Sequence, residues 1–253
     1  MAYAIQWLRS LLFVGQMYLM MAVLAVFFTP WAIFDRSGAY AGVHTYCRWV
    51  RWTASWMCGL RSEIRGKVPT GEVLVASKHQ SFFDIIMIVS VVPKPKFIMK
   101  ASLRHAPILG WYAKRIGCVA VDRGKRAEAI RQMIRDVNHG DAPAGQLIIY
   151  PQGTRVAPGA VASYKIGTAV LYRETGQECV PAATNVGVFW PRTGIFRKPG
   201  LAVVEFMDPI RTGLDNNSFM ARLEATIEER STALMAEAGF DARLPEDRND
   251  TSA

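Results

Sequence analysis

The sequence predicts an α/β fold: a mainly parallel central sheet flanked by helices, preceded by an N-terminal two-helix membrane anchor. Three observations carry that expectation. Beyond Arg61, short apolar runs of strand length alternate with longer helical segments. Ahead of them, Leu11 to Phe28 reads "LLFVGQMYLMMAVLAVFF", with no charge and one amide, Gln16. Between the two, Trp49, Trp52 and Trp56 recur at helical spacing beside Arg48 and Arg51.

Taking the elements in order, the apolar run extended through Ile33 is long enough to cross a hydrocarbon core of about 30 Å as a helix. Pro30 is expected to stop it. A second helix is expected from near Ala39 to Gly59, with rings at headgroup level and guanidinium groups on lipid phosphates. Trp7, Trp31, Trp49, Trp52 and Trp56 are five of the chain's seven tryptophans, and a core would spread them more evenly. Hydropathy leaves open whether the anchor spans or dips in and returns. In the body, "EVLVAS", "KFIMK", "CVAVDR", "QLIIY", "CVPAATN" and "LAVVEFM" read as strands. "SFFDIIMIVSVV" reads as a helix stopped by Pro93. Ile130, Met133, Ile134 and Val137 share a helical face ending at Gly140. A last helix starts behind Asn216 to Ser218, buries Phe219, Leu223 and Ile227, and ends at Gly239. The expected divisions are 1–60 for the membrane-associating helices, 61–240 for the α/β domain and 241–253 for a loose polar tail.

The chain has 253 residues and a formal net charge of +9. That length suits one domain and a small appendage, and the charge suggests an anionic partner. The four cysteines, Cys47, Cys58, Cys118 and Cys179, form no C-x-x-C pair and have no histidines at zinc spacing. They read as reduced thiols in a cytosolic setting, with no structural metal. Gly-x-Gly-x-x-Gly and P-loop patterns are absent, so neither route to nucleotide binding is supported.

After the first strand of the body comes "SKHQSFFD". His79 and Asp84 would diverge on one continuous helix, since each residue turns about 100°. If Ser81 caps the helix, His79 lies in the incoming loop, Asp84 falls in the first turn, and the imidazole folds back over the helix end. A carboxylate on one ring nitrogen makes the other a competent base. Ser81 to Asp84 is equally a capping box, which requires no catalysis. A basic belt follows from Lys94 to Arg126, opposed only by Asp122. Pro107, Gly110 and Gly117 mark turns within it. Lys100 and Arg123 stand at strand ends, as does Arg155 after "QLIIY", and strand ends are where open α/β sheets hold ligands. Three such cations suggest one phosphate-bearing ligand. Nucleic acid is disfavoured by the lipid-facing anchor and the lack of a nucleic-acid module.

Jointly these segments resemble the glycerolipid acyltransferases, specifically the 1-acylglycerol-3-phosphate acyltransferase family. "HQSFFD" is similar to its H-x4-D motif, "KFIMKASLRHAPILGWYAKRIGCVAVDR" to its second motif, "YPQGTR" to its third and "CVPAATNVG" to its fourth, in the family's order. The resemblance implies that His79 deprotonates the sn-2 hydroxyl of lysophosphatidic acid while Asp84 orients the ring. The oxygen attacks an acyl thioester, from acyl-CoA or acyl-carrier protein, without an acyl-enzyme. Backbone N–H groups at the helix start would stabilise the oxyanion. Arg155, Lys100 and Arg123 would hold the 3-phosphate, with Gln152, Gly153 and Thr154 supporting. Val180 and Pro181 would shape the acyl or thioester channel. No metal or cofactor is implied, and membrane lipids are the partners. The catalytic domain is expected on the cytoplasmic face of the inner (plasma) membrane. A lyso-ornithine lipid acyltransferase and a non-catalytic lipid-binding homologue are the competing readings. The chain departs from the family at Gln152, where the third motif has glutamate. Glutamine keeps an acceptor oxygen, gains N–H donors and loses a negative charge.

Overall fold

The structure, a computed structural model, describes residues 2–121, 131 and 144–241. It opens with two helices, α1 (Ala2–Phe34) and α2 (Arg36–Cys58), joined at Asp35. Pro30 lies inside α1 and does not end it, contrary to the sequence reading. The end comes four residues later, where Arg115 donates from its guanidinium to the carbonyls of Ala32 and Ile33 at 2.7 and 2.9 Å. Those carbonyls have no partner within the helix, so a cation there both pairs them and opposes the helix dipole. Asp35 is extended and caps α2 by accepting from the Ser37 N–H, so α2 begins three residues before Ala39. Gln16 is paired across the two helices. Its amide donates to Thr53 Oγ1 at 2.9 Å and accepts from Trp49 Nε1 at 2.8 Å.

α1 is long and apolar enough to cross a membrane by length and composition. At about 1.5 Å per residue it runs roughly 50 Å. Phe13, Met17, Ala25 and Ala32 are buried, while Leu12, Leu19, Val26 and Phe27 are exposed. An apolar face left outside the body matches a lipid environment.

The sheet contains β1 (Leu60–Arg65), β2 (Leu74–Ser77), β3 (Pro95–Lys100), β4 (Val119–Val121), β5 (Gln146–Ile149), β6 (Cys179–Thr184) and β7 (Gly200–Phe206). Their order is β1-β7-β6-β2-β5-β3-β4. Every neighbouring pair is parallel except β6 and β7. Four further helices are described: α3 (Phe82–Val89), α4 (Pro107–Arg115), α5 (Gly167–Thr175) and α6 (Asn216–Glu237).

Residue alternation in the strands sorts the core into two layers. Val75, Ile148, Val180 and Ala182 face a core shared with α1, α2 and α3. Leu74, Ala76, Leu147, Ile149 and Cys179 face the other, built with α5 and α6. β2 and β5 are therefore neighbours whose following helices leave on opposite faces. A crevice opens between such strands at their C-terminal ends, the usual ligand position in an open α/β sheet.

Several elements differ from the sequence reading. β1 was not expected: it is an edge strand with polar positions. α3 ends at Val89, before Pro93 is reached. Pro107 starts α4 instead of marking a turn, and Gly110 lies within that helix. A Cβ on Gly110 would come 2.3 Å from the Arg104 carbonyl oxygen, so only glycine permits this approach. The helical face from Ile130 to Val137 and the tail from residue 242 fall outside the described residues. All four cysteines are free thiols.

Candidate active site

His79 and Asp84 meet. His79 Nδ1 lies 3.0 Å from Asp84 Oδ1 and 3.2 Å from Oδ2. Ser81 is the N-cap of α3, which bends His79 back over the helix start. The capping box is also present, so the cap and the His79–Asp84 contact share one carboxylate. Asp84 Oδ2 accepts from the backbone N–H of Gln80 and of Ser81, each at 2.8 Å. A carboxylate only accepts, so the Nδ1 N–H is assigned to this contact, and in the neutral ring that leaves the lone pair on Nε2. The Asp84 side chain is 0% exposed and that of His79 14%. The orienting carboxylate is thus sealed while the imidazole edge stays reachable. The Ser81 hydroxyl accepts from Phe83 N–H at 3.2 Å. The N–H groups of Gln80, Ser81 and Phe83 are therefore occupied and are not free for an oxyanion.

Tyr150, at the end of β5, stacks on His79 with ring centroids 4.0 Å apart. Burial, and then the negative charge of Asp84, push its phenol well above the ordinary value. Its hydroxyl is enclosed without a partner. Beyond Tyr150 the loop turns at Gly153, whose φ of 67° suits glycine, and its N–H donates to the Tyr150 carbonyl at 2.8 Å. Thr154 is exposed.

His79 and Tyr150 line a cavity of about 1550 Å³, beyond the roughly 300–1,000 Å³ common for small ligands. Its walls are mostly apolar and reach from Ile85 of α3 through Phe97 and Ile108 to Val43 of α2 and Met21 of α1. An apolar chamber running from the imidazole to α1 and α2 suits a long hydrocarbon chain.

The expected phosphate ligands are placed in part. Arg155 is half-buried and donates to the Arg192 carbonyl at 3.1 Å, while Arg192 donates to the Arg155 carbonyl at 3.4 Å. Each guanidinium is thus held on the backbone of the other residue. The Lys100 side chain and all of Arg123 fall outside the described residues. Lys165, which the sequence reading passed over, lines the cavity with His79 and Gly153. Its signal was a cation ten residues after Arg155, beyond any strand end. Gln152 is buried beneath the loop. Val180 and Pro181 are buried in β6 and do not line the cavity, because β6 lies on the far side of β2. Among the described residues no cluster of three His, Cys, Asp or Glu could hold a metal ion.

Comparison with known proteins agrees with this geometry. A family described as acyltransferase matches residues 60–185. A 1-acyl-sn-glycerol-3-phosphate acyltransferase of Pseudomonas aeruginosa is 25% identical over 197 residues, 77% of this chain and 77% of that protein. A lyso-ornithine lipid O-acyltransferase of Brucella abortus is 28% identical over 223 residues, 74% of this chain and 80% of that one. The crystal structure of the 1-acyl-sn-glycerophosphate acyltransferase of Thermotoga maritima superposes with a TM-score of 0.75 at 21% identity, covering 90% of this chain and 98% of that one. That likeness establishes the fold. With the H-x4-D pair closed and the third-motif loop beside it, the chain belongs to the acyltransferase family and is similar to the 1-acyl-sn-glycerol-3-phosphate acyltransferases.

Proposed function

We propose that the protein transfers an acyl chain from a thioester, acyl-CoA or acyl-carrier protein, to the sn-2 hydroxyl of 1-acyl-sn-glycerol 3-phosphate, giving phosphatidic acid. The observation that carries this reading is the Asp84-held His79 at the wall of the apolar cavity. Nε2 of His79 takes the hydroxyl proton as the oxygen attacks the thioester carbonyl. The tetrahedral intermediate collapses with cleavage of the C–S bond, and the proton passes from His79 to the departing thiolate. Asp84 holds the ring and balances the imidazolium. Arg155, bonded to Arg192, and Lys165, beside Gly153 in the cavity wall, receive the 3-phosphate; Lys100 and Arg123 are assigned to the same anion by sequence position. The cavity receives acyl chain in place of the channel assigned to Val180 and Pro181.

α1 and α2 bring the cavity mouth to the bilayer, with the catalytic body on the cytoplasmic face. Arg48, Arg51, Trp52 and Arg61 line a small cleft on that side. Among the described residues Arg51 donates to the neutral oxygens of Ser62 and Ser90, which leaves its charge available to lipid phosphates.

The similarity to the Brucella abortus protein favours one alternative acceptor, lyso-ornithine lipid. Offering the purified protein lysophosphatidic acid and lyso-ornithine lipid with either thioester, and identifying products by mass, separates the two. Phosphatidic acid as the main product supports the proposal; acylation of lyso-ornithine lipid alone overturns it.

A further inference from the structure

Next to His79 the chain buries a charge that acyl transfer does not use. The Lys78 side chain is 2% exposed, and its Nζ pairs with Glu228 of α6. The same carboxylate gathers two residues of the loop after β5. Tyr164 donates its hydroxyl to Glu228 Oε1 at 2.9 Å, and Gln152 Nε2 lies 3.5 Å from that oxygen. Gln152 Oε1 is buried without a partner. Charge fixes that orientation, since a turned amide would set its oxygen against the carboxylate.

Both loops that meet at Glu228 carry the site. Lys78 precedes His79, and its N–H donates to the Ala182 carbonyl at 3.0 Å. Val156, between Gln152 and Tyr164 in sequence, donates its N–H to the His79 carbonyl at 2.8 Å. The loop is closed by Lys165 N–H on the Pro151 carbonyl, also at 2.8 Å. One carboxylate thus ties the His79 loop to the loop bearing Arg155.

We propose that Glu228 is a positioning residue for acyl transfer: from α6 its carboxylate pairs with buried Lys78 and meets Tyr164 and Gln152, and so holds His79 against the third-motif loop. The inference rests on the acyl-transfer reading above. A buried ammonium needs a close carboxylate, and Gln152, whose amide lies against the carboxylate that pairs with Lys78, marks where a second one would stand. A carboxylate at both crowds like charges around one cation.

The test is a double-mutant cycle on the full chain in lipid vesicles: Gln152→Glu, Glu228→Gln and the two combined, with acyl-transfer kinetics and thermal unfolding measured on each. Glu228→Gln lowers kcat about tenfold to a hundredfold, the cost of misplacing a catalytic group by roughly 1 Å. Gln152→Glu alone also lowers kcat. The double variant recovers kcat to within about threefold of the natural protein, because the carboxylate has moved and not vanished. A part limited to stability would shift the unfolding temperature and leave kcat of the folded protein alone. Single variants with natural kcat, or a double variant no faster than the slower single, overturn the proposal. If Glu228→Gln does not fold, Lys78→Met with Glu228→Leu removes both charges together. Folded protein with kcat down by the same factor supports the role, and folded protein with natural kcat overturns it. A natural protein that acylates no lyso-lipid removes the functional reading itself, and this inference with it; that result appears in the control before any variant is compared.

Discussion

The backbone N–H of Val156 donates to the carbonyl of His79 at 2.8 Å. This bond joins the loop after β5 to the loop after β2, two strands that are adjacent and parallel. It places the residue after Arg155 against the proposed base. The loop proposed to bind phosphate and the histidine are consequently coupled through backbone, whatever the side chains do.

Arg155→Ala removes one guanidinium from the proposed phosphate site and leaves that backbone bond in place. The KM for lysophosphatidic acid should rise about tenfold, the worth of one charge-assisted hydrogen bond, with the thioester KM little changed. Lys165→Ala should act in the same direction. Initial-rate kinetics varying each substrate in turn make the comparison; equal rises in both KM values would argue against a phosphate role.

Tyr150 offers a separate check on the stacked ring. Tyr150→Phe keeps the ring and removes an enclosed, unpartnered hydroxyl, so stability should hold or rise by about 1 kcal/mol, with kcat kept. Tyr150→Ala should lower kcat by freeing the imidazole. The phenol also titrates in a definite sense. Burial, with Asp84 second, raises its folded pKa above the ordinary 10.0, so the folded state holds the proton more tightly than the unfolded state. The stabilisation is complete below the unfolded value and is lost as pH rises through the folded one. Denaturant unfolding should therefore show stability falling above about pH 10, less steeply in Tyr150→Phe.

Ile85 lines the cavity one residue beyond Asp84. Ile85→Trp should shorten the space available to hydrocarbon and shift preference toward shorter acyl chains. Competition between long- and short-chain thioesters, read by product mass, measures it; an unchanged preference would place the acyl chain elsewhere.

At the membrane, Arg48→Gln with Arg61→Gln should weaken binding to vesicles rich in anionic phospholipid. At about 1 kcal/mol per cation, the pair is worth roughly thirtyfold in affinity. Binding to zwitterionic vesicles should change little. Sedimentation with each vesicle type reads the difference.

The strands β2 to β7 were legible because parallel strands buried on both faces are written as short apolar runs. β1, "LRSEIR", was not: an edge strand carries charge, and its pairing with β7 lies far away in sequence. α5 was missed because it is only nine residues long and has no side-chain cap to mark its start. Pro30 misled because the end of α1 is set by Arg115, more than eighty residues on. In the site, His79 and Asp84 were readable because Ser81 caps α3 and the contact is local. Glu228 was invisible, since nothing in "TIEERS" signals a partnership with Lys78, 150 residues earlier. The channel assigned to Val180 and Pro181 came from motif likeness, whereas β6 faces the core.

His79, held by Asp84, is the proposed base for acyl transfer. The most direct measurement is kcat for acylation of lysophosphatidic acid by His79→Ala, on protein shown by circular dichroism to be folded and by sedimentation to bind vesicles. Loss of a general base predicts a fall of about 10²- to 10⁴-fold. Turnover equal to that of the natural protein would contradict the account.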